Sequence, residues 1–263
     1  MKGGGSVPDT TENRAEPWLN VSSLVIEVTR RCNLKCEHCL RGDAEDMDMD
    51  PELMAAFLKN VRHVGEVTFS GGEPSINLQA IRSFYRICDE YGIPVDGFFV
   101  ATNGVANQAE LCLLLLEQYA RLDNHEACGV ALSRDMFHDG SIWRDLGIDG
   151  PSPLVRGLAF YTEQKEHHVP NDLSWITPEG RAYDNGLADV SGRTSKIVDF
   201  SFEKDRDGVS VDTLYLSANG MLYPDCNLSY QNLDYAVTSP ADCPVQSIPV
   251  NDDMKQAILA MLP

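Results

Sequence analysis

Cys32, Cys36 and Cys39 lie within eight residues, in the run Thr-Arg-Arg-Cys-Asn-Leu-Lys-Cys-Glu-His-Cys, directly after a short apolar segment. Three thiolates so close together can converge on one soft metal centre. A closed zinc or iron–sulfur site ordinarily takes four protein ligands. Three therefore suggest a cluster with one iron left for a ligand that is not protein. A zinc knuckle is the competing reading of the same run.

The rest of the chain alternates. Leu24-Val25-Ile26-Glu27-Val28-Thr29 reads as a buried strand that feeds the cysteine loop. Asp50 and Pro51 have the side chains of an N-cap and a first helical position, which predicts a helix to about Arg62. Glu66 to Phe69 reads as a second strand, Asn77 to Tyr91 as a helix closed by Gly92, and Phe98 to Ala101 as a third strand. Residues 108–121 form an apolar helix and Cys128 to Leu132 a fourth strand. Farther on, 134–152 reads as a long loop, 153–168 as a helix, Leu173 to Thr177 as a fifth strand, Thr213 to Ser217 as a late strand and 252–262 as a terminal helix. Strands alternating with helices imply a parallel sheet with right-handed crossovers. The polar motifs all follow strand ends, where such sheets place their sites.

The Cys-x3-Cys-x2-Cys loop, with His38 at the ring position before Cys39, resembles the signature of the radical S-adenosylmethionine (SAM) superfamily. The resemblance implies a [4Fe–4S] cluster on Cys32, Cys36 and Cys39, with SAM chelating the open iron and yielding a 5′-deoxyadenosyl radical that abstracts hydrogen from substrate. Gly71-Gly72-Glu73-Pro74 resembles the family motif that holds the SAM amino group. Two glycines would let backbone approach a ligand, and a carboxylate can accept charge-assisted bonds from an ammonium. By the same resemblance, Thr102, Asn103 and Ser133 would contact the SAM ribose or carboxylate. Asp135 and His138 match a Ser-x-Asp segment with a following His-Asp, and they are the candidate catalytic pair. An ordinary turn or strand end is the competing reading for these polar residues. His167-His168 reads as solvated surface, because adjacent residues on a helix do not face one another.

The implied fold is α/β, a partial (β/α)6 TIM-like barrel with a short C-terminal α/β extension. Its expected parts are an N-terminal segment or tag remnant at 1–20, a radical SAM core at 21–210 and a flap at 211–263. The run Leu214 to Cys226 resembles the entry to the cysteine-rich SPASM extension of peptide-modifying members, and Gly180-Arg181-Ala182 a stretch that often precedes it. Only Cys226 and Cys243 remain there, too few for an auxiliary cluster. Cys88, Cys112 and Cys128, among apolar neighbours, read as buried free thiols.

A net charge of −19 argues against nucleic acid and against anionic lipid as partners. No segment approaches the roughly 18 apolar residues of a membrane span, and there is no signal peptide at the start. Eight cysteines, three of them grouped, suit metal chemistry in a reducing cytoplasm. The 20 or so residues before the first strand leave no room for a leader-peptide-binding module. Arg30, Arg31, Lys35 and Arg41 crowd the cysteine loop, where they would help a flavodoxin or ferredoxin donor dock, or stay as solvated loop charges. The expected substrate is a peptide or protein. A small metabolite or nucleotide is the alternative, and a non-catalytic iron–sulfur or zinc-binding protein the alternative of another class.

Overall fold

Leu24, Ile26 and Val28 on one face, and Val25, Glu27 and Thr29 on the other, are all buried. A strand covered on both faces belongs in the middle of a parallel sheet, and that is where it lies. In the computed structural model, which describes residues 16–133, 137–138, 161–163, 176–187, 199–239, 243 and 245–263, this strand is β1 (Leu19–Thr29). It pairs in parallel with β2 (Val61–Gly71), which pairs with β3 (Val95–Thr102). β4 (Cys128–Leu132) and β5 (Tyr161–Glu163) continue the parallel order outward. On its other side β1 pairs in parallel with β7 (Gly208–Leu216). The antiparallel strands β6 (Phe202–Asp205), β8 (Met221–Tyr223) and β9 (Ile248–Pro249) finish the nine-stranded sheet. The expected partial barrel is therefore present as an open sheet, not a closed one.

The helices start and stop where their end residues dictate. α1 (Pro51–Leu58) opens with the Asp50 carboxylate accepting the Glu52 N–H at 2.8 Å, and Pro51 at the first position loses no helical bond. α2 (Leu78–Tyr91) has Asn77 as its cap and stops at Gly92, whose φ of 66° is the left-handed conformation glycine tolerates. α3 (Gln108–Tyr119) precedes β4, and α4 (Gly180–Asp184), α5 (Tyr230–Thr238) and α6 (Met254–Ala260) follow later. One large core of strand and helix residues, including Leu24, Ile26, Phe57, Phe69, Phe84 and Phe98, holds these layers together.

Two expectations change: the helix expected to run to about Arg62 ends at Leu58, because Val61 and Arg62 open β2, and a later stretch read as helix contains a strand. Tyr161–Glu163, inside the stretch read as a helix over 153–168, is a strand paired with β4. Three residues are too few for periodicity to show their state, and pairing with an existing edge decided it. The strand expected at 173–177 lies mostly outside the described residues, and the long loop at 134–152 and His167-His168 nearly or wholly so. Among the described residues no helix is long and apolar enough to cross a membrane.

Candidate functional site

The cysteine loop leaves β1 at Thr29, and the loop after β2 rides directly on it. The Gly72 N–H donates to the Thr29 carbonyl (2.8 Å) and the Glu73 N–H to the Arg31 carbonyl (2.9 Å). A methyl group at Gly71, whose φ is 133°, would overlap the Thr29 carbonyl oxygen, and one at Gly72 that of Arg31. The paired glycines thus allow the close approach of two protein loops, in addition to the approach to a ligand expected from the sequence.

Glu73 is buried, and its carboxylate accepts four hydrogen bonds. It accepts from the Ser75 N–H (3.1 Å) and hydroxyl (2.6 Å), the Thr102 hydroxyl (2.7 Å) and the Asn103 N–H (2.8 Å). Burial raises its pKa, while these four donors oppose that shift. The side chain expected to grip an ammonium also ties the end of β2 to the end of β3. Pro74 begins a 3-10 turn that leads into α2. Asn103 Nδ2 donates to Asn33 Oδ1 in the cysteine loop at 3.0 Å, and the Ser133 N–H donates to the Thr102 carbonyl at 2.9 Å. Thus Gly71, Gly72, Glu73, Pro74, Thr102, Asn103 and Ser133 form one laced rim at the C-terminal ends of β2, β3 and β4, against the cysteine loop after β1.

Cys36 is buried, and Cys32 and Cys39 are half-buried. Burial pushes the Cys32 thiol up to about 11, with Glu73, Cys36 and Cys39 adding repulsion of the thiolate. Cys36 Sγ lies 3.3 Å from Nε2 of His138, itself buried. His38 stacks on Phe137 at 4.4 Å between ring centroids and meets the His138 ring edge-on at 5.1 Å. Phe137-His138 therefore covers the cysteine loop from the β4 side. Asp135, the other half of the candidate catalytic pair, lies outside the described residues. Among the described residues no three His, Cys, Asp or Glu side chains are arranged to hold a single metal ion. Three soft thiols on one partly buried loop are the donor set of an iron–sulfur cluster, and the residues fit that group.

The cations near the loop divide sharply. Arg30 is fully buried: it bonds Glu27 (3.2 Å), Glu45 (2.7 Å) and Asp234 (3.0 Å), and its guanidinium lies 4.6 Å from the Tyr230 ring centroid. Arg41, also buried, donates to the Leu228 carbonyl at 2.8 Å and faces the Tyr215 ring. Arg31 forks onto Asp48 (2.6 and 3.0 Å). Neither Arg30 nor Arg41 is a docking charge, which corrects the reading of four basic residues as a docking patch. Lys35, 78% exposed and 3.7 Å from Asp43, faces solvent.

Three features escaped sequence reasoning. Glu27 is buried inside β1, where it accepts from Tyr215 (2.8 Å), Ser217 (2.6 Å) and the Ala218 N–H (2.9 Å) besides Arg30. One acid amid an apolar strand was the available signal. Arg181 donates from Nε to the Cys36 carbonyl (3.0 Å) and from its backbone to the Cys39 carbonyl (2.9 Å). Asn185 Nδ2 donates to the Glu37 carbonyl at 2.9 Å. Gly180 (φ 52°) can sit there because a methyl would strike the Leu40 carbonyl. Finally, Cys226 and Cys243 both pack on the apolar cluster of Val25, Tyr215, Tyr223 and Tyr230.

The model of the radical SAM superfamily matches residues 26–148, from the middle of β1 through the whole cysteine loop, the Gly-Gly-Glu-Pro loop and β4. Residues 26–148 thus match a radical SAM superfamily domain. That match implies a [4Fe–4S] cluster and SAM as cofactors, and Cys32, Cys36 and Cys39 all lie within the matched residues. An uncharacterized protein of Methanocaldococcus jannaschii is 31% identical over 157 residues, 58% of this chain and 52% of that one. The Fe-coproporphyrin III synthase of Methanosarcina barkeri is 27% identical over 206 residues, 72% of this chain and 50% of that one. The chain spans about half the length of these curated relatives. Among solved structures, BtrN in complex with AdoMet and 2-DOIA is 14% identical with a TM-score of 0.43, covering 91% of this chain and 86% of that one. The enzyme anSMEcpe with bound AdoMet is 22% identical with a TM-score of 0.35, covering 44% and 32%.

Proposed function

We propose that this protein reductively cleaves SAM and uses the resulting radical to take hydrogen from a bound peptide or protein substrate. The observation that carries the reading is the cysteine loop itself, held against the rim of β2, β3 and β4 inside a radical SAM domain. When bound, the cluster and SAM supply one-electron cleavage of a carbon–sulfur bond and a 5′-deoxyadenosyl radical. The protein's own residues hold and shield. Cys32, Cys36 and Cys39 supply thiolates. Glu73, through Ser75, Thr102 and Asn103, sets the rim so that the half-buried backbone of Gly71 and Gly72 and the Asn103 and Ser133 side chains stand where SAM would bind. His38, Phe137 and His138 exclude water from one side of the loop, which a radical reaction requires.

Support for a peptide or protein comes from Thr102-Asn103-Gly104, Gly180-Arg181-Ala182 and the Leu214–Cys226 run, which resemble peptide-modifying members. A small metabolite is the second reading, favoured by the relative named Fe-coproporphyrin III synthase. The test of both is anaerobic reconstitution with iron and sulfide, followed by reduction in the presence of SAM. A brown protein releasing 5′-deoxyadenosine is expected. A colourless protein holding zinc and inert toward SAM would overturn the proposal. Deuterium transfer into 5′-deoxyadenosine from labelled peptides, and none from labelled metabolites, distinguishes the substrate classes.

An electron donor of flavodoxin or ferredoxin type is part of the same proposal, and Lys35 is the exposed cation of the loop through which it would dock. Lys35→Glu is expected to slow reduction by flavodoxin several-fold at low salt, with little change in reduction by dithionite. Stopped-flow absorbance of the cluster measures both rates, and equal effects would remove Lys35 from the docking surface.

A further inference from the structure

His138 is 7% exposed, and its Nε2 lies 3.3 Å from Sγ of Cys36, the most buried thiol of the cysteine loop. The two residues are 102 apart in sequence, so only the fold brings them together. Each is held in place by other contacts. Phe137, the neighbour of His138, packs on Ile176 and Ala182 and stacks on His38 at 4.4 Å. The His38 ring also meets the His138 imidazole edge-on at 5.1 Å, which limits its rotation. Arg181, next to Ala182 on α4, donates from Nε to the Cys36 carbonyl at 3.0 Å. Cys36 is thus fixed by its backbone through Arg181, and its sulfur faces one imidazole nitrogen.

We infer that His138 is a positioning residue, which donates an N–H bond from Nε2 to the Cys36 thiolate and so raises the reduction potential of the cluster. The inference rests on the cluster reading of the cysteine loop. A thiolate bound to iron carries no proton and can only accept. Contact with a neutral imidazole is then favourable in the tautomer that keeps its proton on Nε2. Hydrogen bonds to the sulfurs are among the factors that set the potential of an iron–sulfur cluster. A donor at Cys36 draws charge from the ligand sulfur and favours the reduced, more negative state. The bond is charge-assisted and out of water, both of which strengthen it. This role is distinct from that of an acid or base acting on substrate, for which the sequence had offered His138, because Nε2 is directed at a ligand sulfur.

His138→Leu removes the donor, whereas His138→Gln keeps an N–H at similar reach. In the reconstituted protein without SAM, EPR titration should show the reduction equilibrium of His138→Leu shifted about tenfold toward the oxidised cluster, a fall of roughly 59 mV for one electron. His138→Gln should recover most of that fall. A side chain that only fills space would be missed equally in both variants, and an acid or base acting on substrate would leave the potential unchanged. An unchanged potential in His138→Leu, or an equal fall in the two variants, overturns the inference while the cluster reading stands. Failure of the unsubstituted protein to assemble a cluster overturns both. Should the variants not fold or not hold iron, ENDOR of the reduced wild-type cluster, in protein carrying ring-labelled histidine, decides instead. A coupled ring nitrogen together with a coupled proton that exchanges in D2O supports the bond, and the absence of either refutes it.

Discussion

Cys36→Ala is expected to lose bound iron and SAM cleavage together, while the far-ultraviolet circular dichroism of the unloaded protein stays the same. Cys36 is the most buried of the three thiols of the loop and lies 3.3 Å from His138. Replacing a group that merely supports a metal ligand costs about 10–100-fold in affinity, so removing a ligand should exceed that. Iron analysis after gel filtration and chromatography of 5′-deoxyadenosine provide the two readings. Full iron retention would mean that the cluster is held elsewhere. The fold should survive because the backbone of the loop is fastened independently: Arg181 donates to the Cys36 and Cys39 carbonyls, the Glu45 N–H donates to the Arg30 carbonyl, and the Arg30 N–H donates to that of Met47.

Glu27→Leu is expected to destabilise the protein by about 3–5 kcal/mol, the cost of breaking a buried ion pair from one side. The substitution strands the hydroxyls of Tyr215 and Ser217 and the Ala218 N–H, and it removes the buried partner of Arg30. Urea unfolding of the unloaded protein measures the loss. Glu45→Ala is the comparison: its carboxylate is 38% exposed, and Arg30 keeps Glu27 and Asp234, so a loss of only about 1 kcal/mol is expected. Equal losses from the two would mean that the buried acid has no special weight. The C-terminal segment should loosen first in Glu27→Leu, since Ser217 and Asp234 meet β1 through this network.

Much of the core was legible from local rules. Cys128–Leu132 was read with its exact bounds, and the cap at Asp50 and the stop at Gly92 lie where side-chain chemistry placed them. Strands alone were read too short, because β1 and β2 begin with mixed polar residues, from Leu19 and from Val61, that only pairing turns into strand. The stretch Tyr161–Glu163 was misread for the same reason. At the candidate site, residue types were legible and their partners were not. Gly71, Gly72 and Glu73 were read as ligand contacts, and their bonds and close approaches to neighbouring loops had no signal in the sequence. Arg30 and Arg41 looked like surface charge in a chain of net charge −19, yet both are buried.

Sequence by itself pointed to the cluster chemistry proposed here. Three thiols at this spacing on a single loop are covalently near one another, so their convergence needs no distant contact. It determined the alternating α/β order as well, because periodicity and caps are local. Only the tertiary structure decided which polar groups face one another across long separations: Glu27 with Tyr215 and Ser217, Arg181 with Cys36, and the Tyr230 backbone with Arg41. A buried charge or hydroxyl is stable only if a partner meets it. That partner can lie almost 200 residues away, where no local pattern records it.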